Sequence, residues 1–325
     1  MSALSIVLVL IFAVALAFLA LALVAPFETL SWWAGWGKDR PAPDVPIAPA
    51  ETERVLHRPH GNCYYIVYLS GVGRLTGDVR PEKEEAFLDR LQAHLPSAVI
   101  VRDVFPFSVT NNPLTGKSRA LAGVWRWIDG LQQKKVRAWL YNFIQFRNLT
   151  QVAVSADPRY GPVYSYGIAR EIMRGLLRHG YSLAYPSPVI LMCISGGGQV
   201  SVGAAPHLLE MLGRPVTIIS IGGVLTDDPG ILSVQHLYHL SGSKDNIQHV
   251  GKWLFPGRWP IFKRSAWNRA ARKGKISIID VGPMKHMGWG DYFSRSARLK
   301  SGESHADRTV AVISDVVRGL QGVAA

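Results

Sequence analysis

The pattern of apolar and polar positions divides the chain into three parts. Residues 4–25 are an apolar run without a charged side chain, and the first charge downstream is Glu28. At about 1.5 Å of rise per residue a helix of this length spans the hydrocarbon core of a bilayer, so a single transmembrane helix is expected. A cleaved signal peptide would carry Lys or Arg ahead of the run and a small-residue site after it. Here the chain opens Met-Ser-Ala-Leu and Pro26 follows Ala25, which favours an uncleaved anchor. Phe27, Trp32, Trp33 and Trp36 come next, where amphipathic rings mark the headgroup level. From 39 to 60 the chain carries Pro41, Pro43, Pro46, Pro49 and Pro59 without apolar periodicity, the pattern of an extended spacer that holds a domain off the bilayer. The expected organisation is an anchor at 1–27, a Pro-rich linker at 28–60 and a folded domain at 61–325.

Within that domain, short apolar runs alternate with helical patterns. Strands are predicted at 63–69, 98–104, 188–194, 216–222, 236–240 and 275–281, and helices at 81–94, 166–179, 197–212 and 305–320. The strand runs are apolar throughout rather than alternating, as in strands buried on both faces. This order predicts an α/β fold with a doubly wound, mainly parallel sheet and helices on both faces, whose reactive groups gather at the carboxyl ends of strands. The stretch 118–150 mixes Trp125, Trp127, Trp139 and Phe143 with Arg126, Lys134, Lys135 and Arg137. It reads as one or two amphipathic helices: either a cap or lid that touches the bilayer, or a pair that covers the sheet.

Composition narrows the class. A chain of 325 residues, 48% of them hydrophobic, with 31 Gly and 20 Pro, suits a compact globular enzyme and excludes a disordered or fibrous protein. The two cysteines, Cys63 and Cys193, each lie inside an apolar strand run and read as free buried thiols rather than a disulfide. The formal charge of +13 suits attraction to anionic lipid, with a merely solvated basic face as the plainer reading; no nucleic-acid-binding motif accompanies it. No basic residue precedes the apolar run, whereas Lys38, Arg40, Arg54 and Arg58 follow it, so the domain is expected on the cytoplasmic side of a single-pass membrane protein. There the sequon Asn148-Leu149-Thr150 would not meet the glycosylation machinery.

The chemistry centres on Val189-Ile190-Leu191-Met192-Cys193-Ile194-Ser195-Gly196-Gly197-Gly198-Gln199, a strand that ends at a serine and passes through glycines into a helix. A sharp strand-to-helix turn exposes the serine oxygen, needs small neighbours, and aims backbone N–H groups at a developing oxyanion. Taken alone, Ser-Gly-Gly-Gly is equally compatible with a glycine-rich turn or a phosphate-cradling loop. Two later segments add to it: the strand at 236–240 runs into Ser241-Gly242-Ser243-Lys244-Asp245, and the strand at 275–281 leads into Gly282-Pro283-Met284-Lys285-His286.

In these segments the chain resembles the α/β-hydrolase family, with an elbow of pattern Gly-x-Ser-x-Gly followed in chain order by an acid and a histidine. This chain has Cys193 where the first glycine is usual. The resemblance implies Ser195 as nucleophile, His286 as base and Asp245 as the acid that orients it, with Asp227 and Asp228 as alternative acids one strand earlier. It also implies an oxyanion hole from the N–H of Gly196 and one from Gly71 or Val72 in the loop after the first strand. Such a triad makes and breaks an acyl-serine on an ester or thioester, and the apolar anchor suggests an apolar or lipid-like substrate. The competing reading is a membrane-tethered binding or scaffold protein that keeps the fold without turnover. Neither needs a cofactor: Gly71-Val72-Gly73-Arg74-Leu75-Thr76-Gly77 misplaces the third glycine of a dinucleotide fingerprint, and no Cys/His cluster has zinc spacing. His236, His239 and His249 are expected to pack or hydrogen-bond near the acid loop.

Overall fold

The computed structural model describes residues 64–74, 80–110, 141–324 and 29–36, with isolated positions before residue 29. Its centre is one all-parallel sheet built from β1 (Tyr64–Leu69), β2 (Ala98–Val101), β3 (Val189–Ile194), β4 (Thr217–Ile221), β5 (His236–Gly242) and β6 (Ile276–Gly282). The order across the sheet is β2-β1-β3-β4-β5-β6. The chain steps outward from β1 to β2, then returns to the other side of β1 with β3 and proceeds one way from there. The connection order therefore reverses between β1 and β3, and at the carboxyl ends of such a pair loops diverge and leave a crevice.

Both faces of the sheet are apolar, so both must be covered. Tyr65, Val67 and Leu69 enter one core with Leu191 and Cys193, whereas Tyr64, Ile66 and Tyr68 enter the other with Ile190 and Met192. The first core is closed by α2 (Tyr141–Ala156), α3 (Gly161–Arg178) and α4 (Gly197–Leu212), which contribute Ile144, Ile168, Ile172, Val200 and Leu208. The second is closed by α1 (Glu82–His94) and α7 (His305–Ala324) through Phe87, Leu88, Leu91, Val310 and Ile313. Two short helices, α5 (Val250–Leu254) and α6 (Ala266–Arg272), lie between β5 and β6. The predicted strands and helices thus all occur, with ends displaced by a few residues; α3 starts earlier than its apolar pattern because Pro162 serves its first turn, where a missing N–H costs nothing.

Three expectations need qualification. Among the described residues no helix is long and apolar enough to cross a membrane, and the run 4–25 is described only at isolated positions. Cys63 and the stretch 111–140, which holds most of the aromatic and basic segment, lie outside the described residues. Trp32 is not a headgroup marker: it is buried, 9% exposed, in the core under α3, while Trp33 and Trp36 remain open. Gly167 on α3 makes this fit possible, since a Cβ there would lie 2.8 Å from Val109 Cβ and 3.3 Å from the Trp32 ring. The folded body therefore begins ahead of the Pro-rich stretch, so that stretch does not simply separate anchor from domain.

Candidate active site

Ser195 follows β3 directly, at the crevice between β1 and β3. Its φ of 55° makes it the non-glycine residue with a left-handed backbone among those described. A serine pays about 1–3 kcal/mol for such a conformation, which persists only where the surroundings over-determine it. They do so here. Ser195 N–H donates to Ile221 O at 3.3 Å, and Ser195 O accepts the N–H groups of Gly198 and Val224. Gly197 sits so close to the end of β1 that a Cβ would lie 2.8 Å from Leu69 O, so only glycine lets α4 start against the sheet.

His286 arrives from the loop after β6 and Asp245 from the loop after β5. His286 Nε2 is 2.8 Å from Ser195 Oγ, and its Nδ1 lies 2.9 and 3.0 Å from the two Asp245 oxygens. Because an ionised carboxylate only accepts, Nδ1 carries the proton and Nε2 accepts the serine hydroxyl. The structure thus brings the three expected residues into one chain of hydrogen bonds. The alternative acids lie elsewhere. Asp228 accepts from Gln199 Nε2 and from Gly230 N–H, capping the 3-10 turn Pro229–Leu232, and burial raises its pKa. The Asp227 carboxylate lies beside Gly257.

Asp245 is buried, and burial by itself would raise its pKa. The hydrogen bond and charge of His286, the Tyr292 hydroxyl and the Gln248 N–H outweigh it and hold the carboxyl below its usual range. Tyr292 O–H donates to Asp245 Oδ2 at 2.8 Å and accepts the Gly242 N–H at 2.9 Å. The N–H groups of Ile247 and Gln248 donate to Oδ1. Gly222, at φ 52°, opens the space above β4: a Cβ there would lie 2.6 Å from Asp245 Oδ2.

Further residues support the site without touching the serine. Gln248 Nε2 donates to Gly242 O and Asp245 O, closing the acid loop upon itself. His239 stands behind it, Nε2 donating to Gln248 Oε1 and Nδ1 accepting from the Ser220 hydroxyl; burial lowers its pKa to about 4 and keeps it neutral. His239 thus meets the expectation of a histidine near the acid loop, as does His249, which packs against the Trp253 ring from the turn Ile247–His249, whereas His236 bonds Ser277 across β5 and β6.

The loop after β1 lies over the elbow. A Cβ on Gly71 would be 3.4 Å from Ser195 Cβ, and one on Gly196 would be 2.9 Å from Val72 and 2.7 Å from Val152. Asn148, fully buried on α2, donates from its amide to Val72 O and Arg74 O and so fixes that loop. These two bonds account for a fully buried asparagine on this helix. For residues 141–150 the sheet-covering alternative thus describes the helix, and Val152 one turn later touches the elbow.

Cys193, the departure from the elbow pattern, is buried in the core beneath the turn, its thiol pushed up to about 12 by burial. The extra Cβ is absorbed by that core and does not reach the serine hydroxyl. No group of three or more His, Cys, Asp or Glu among the described residues could hold a metal ion.

Compared with known proteins, the sequence matches no family model and no curated protein. The geometry stands on its own. Tyr292 and Gln248 were not singled out by the sequence, and Asn148 stood out only as part of a sequon; the local hint is that Tyr292 and Gln248 follow His286 and Asp245 within a few positions.

Proposed function

We propose that this chain is a serine hydrolase of α/β-hydrolase type, held at a membrane by its N-terminal apolar run with the catalytic domain on the cytoplasmic side. Its substrate is an ester or thioester of apolar or lipid-like character. The observation that carries this reading is a serine strained at φ 55° with its oxygen 2.8 Å from an imidazole whose other nitrogen bonds a buried carboxylate. A glycine-rich turn or phosphate loop has no use for the histidine and the acid, and a scaffold gains nothing from the strain.

The chemistry follows from the hydrogen-bond directions. Ser195 Oγ attacks the carbonyl carbon as its proton passes to His286 Nε2, and Asp245 stabilises the imidazolium that forms. The carbonyl oxygen, now negative, is met by the Gly196 N–H and by an N–H of Gly71 or Val72, beside the positive end of α4. His286 returns the proton to the leaving alcohol or thiol; water then attacks the acyl-serine, giving its proton to the same nitrogen, which passes it to Ser195 Oγ as the carboxylic acid leaves. The apolar character of the substrate is supported by Met287 and Trp289, exposed beside the histidine.

A fluorophosphonate probe tests the reading, since only an activated serine reacts with it. The full chain should be labelled, and Ser195→Ala should lose both labelling and turnover of a short-chain soluble ester while remaining folded. An unlabelled wild-type protein would favour the tethered scaffold instead.

A further inference from the structure

The chain between β5 and β6 has an unusual charge balance. From 246 to 279 the sequence contains no Asp or Glu and eight Lys or Arg. Part of this segment also exposes large apolar side chains: Trp253 is 60% exposed, Leu254 68%, Ile261 75%, and Phe262 46%. Exposed Lys252, Lys263 and Arg264 stand among them.

The segment is not loose chain. Asn268 on α6 donates from its amide to Gly257 O, Trp259 O and Phe262 O. Arg258 turns inward, donates to Leu225 O and stacks over the Trp267 ring at 3.4 Å. Trp259 Nε1 donates to Lys252 O. The polar side chains thus hold the backbone from within while the apolar ones point outward, opposite to the arrangement that burial in water favours.

Its place in the fold matters equally. The segment follows the carboxyl end of β5 and begins at the residue after Asp245. Trp32, buried like Thr29 in the N-terminal region, meets Gly167 in the same core as Val109, which lies in the chain leaving the carboxyl end of β2. The base of the segment is tied to Leu225, in the chain leaving the carboxyl end of β4, so the candidate site and this basic, apolar projection share the carboxyl edge of one sheet.

We propose that the projection at 253–262 docks on an anionic bilayer surface, its Trp253, Leu254, Ile261 and Phe262 entering the interface and its cations facing lipid phosphates, so that the carboxyl edge lies toward the membrane. Apolar side chains with basic neighbours are what an anionic interface accommodates, each cation adding attraction within a Debye length. A nucleic acid would satisfy the charges and leave Leu254 and Ile261 in water. Docking deepens the hydrolase proposal and rests on it for its purpose: a lipid-like acyl chain leaving the bilayer would meet Ser195 at the docked edge.

The test uses the full chain carrying Cys63→Ser, whose buried Cys193 is inert, reconstituted into vesicles of phosphatidylcholine with phosphatidylglycerol. A nitroxide is attached at Leu254→Cys, at Ile261→Cys, or at Glu210→Cys, exposed near the end of α4 on the opposite edge of the sheet. Power-saturation spectroscopy then compares accessibility to oxygen with accessibility to a water-soluble nickel chelate. Expected are oxygen-favoured accessibility at 254 and 261, water-like accessibility at 210, and loss of the immersion at both sites with Lys252→Glu, Lys263→Glu and Arg264→Glu combined. Water-like accessibility at both 254 and 261, or shielding of them by a single-stranded oligonucleotide but not by vesicles, overturns the proposal. Fluorophosphonate labelling of the same samples separates the two ideas: labelling without immersion removes the docking alone, and immersion without labelling removes the hydrolase alone.

Discussion

Tyr292→Phe removes one oxygen from the site and leaves every residue of the Ser195, His286, Asp245 chain in place. The hydroxyl bridges Asp245 Oδ2 and the Gly242 N–H, both buried, so its loss has two parts. The Gly242 N–H loses its acceptor, which costs about 1–3 kcal/mol for a buried donor. The carboxylate loses a charge-assisted bond, worth about 1.5–3 kcal/mol. Allowing for relaxation around the ring, the variant should be less stable by about 2–4 kcal/mol at neutral pH. The second part depends on ionisation. Asp245 is held below the ordinary carboxylate range in the folded state, so its contribution is fully present above the unfolded value of about 4 and is lost as pH falls through the folded one. Removing a donor to the carboxylate shrinks that contribution. The stability gap between wild type and variant should therefore be largest at neutral pH and narrow by about 1.5 kcal/mol or more in acid, as the carboxyl takes up its proton. Urea unfolding measured from about pH 7 to about pH 3 checks this. A gap of constant size across that range would mean that the hydroxyl acts only on the Gly242 N–H, and the assignment of Tyr292 as a positioning residue for the acid would fail. Fluorophosphonate labelling should slow in Tyr292→Phe, but less than in Asp245→Asn, which leaves no carboxylate to orient the imidazole.

Other substitutions test separate parts of the structure. Ser195→Gly should be inert toward the probe yet raise the unfolding free energy by about 1 kcal/mol, because glycine adopts a φ of 55° without strain; a destabilised variant would contradict the strained elbow. Trp32→Ala should cost about 2–4 kcal/mol by opening a cavity against Gly167 and Val109, whereas Trp33→Ala should be nearly neutral, and equal midpoints on thermal unfolding would refute the docked position of Trp32. In a Cys63→Ser background the native protein should show no thiol to a disulfide reagent at about pH 8, and one after denaturation, since burial pushes the Cys193 thiol up to about 12. Asn148→Ala should leave the elbow intact but slow labelling by freeing the loop that carries Gly71 and Val72; an unchanged labelling rate would remove that loop from the oxyanion site.

Much of the architecture was written locally in the sequence. Strands such as β3 and β4, covered on both faces, must be apolar at nearly every position, so they stand out as continuous runs, and a glycine-flanked serine at the end of such a run leaves few conformations open. The order Ser195, Asp245, His286 came from the resemblance to α/β-hydrolases, which could be applied because each residue follows a recognisable strand.

What decided the rest was contact between segments far apart in the chain. Asp227, Asp228 and Asp245 look alike in sequence, and only the meeting of the loops after β5 and β6 puts His286 against Asp245 while Asp228 caps a 3-10 turn. Asn148 and Tyr292 carry no local signature, because a hydrogen bond from α2 to the loop after β1, or from the last loop to the acid, has no periodicity to betray it. Trp32 shows the same limit from the other side: beside an apolar run it reads as an interfacial ring, and its burial depends on a notch at Gly167, more than a hundred residues away along the chain, that exists only once α3 has packed. Local pattern determines which elements form, since it acts over a few residues; which polar side chain meets which partner is settled by tertiary packing, where a single atom in reach outweighs any preference of the segment that carries it.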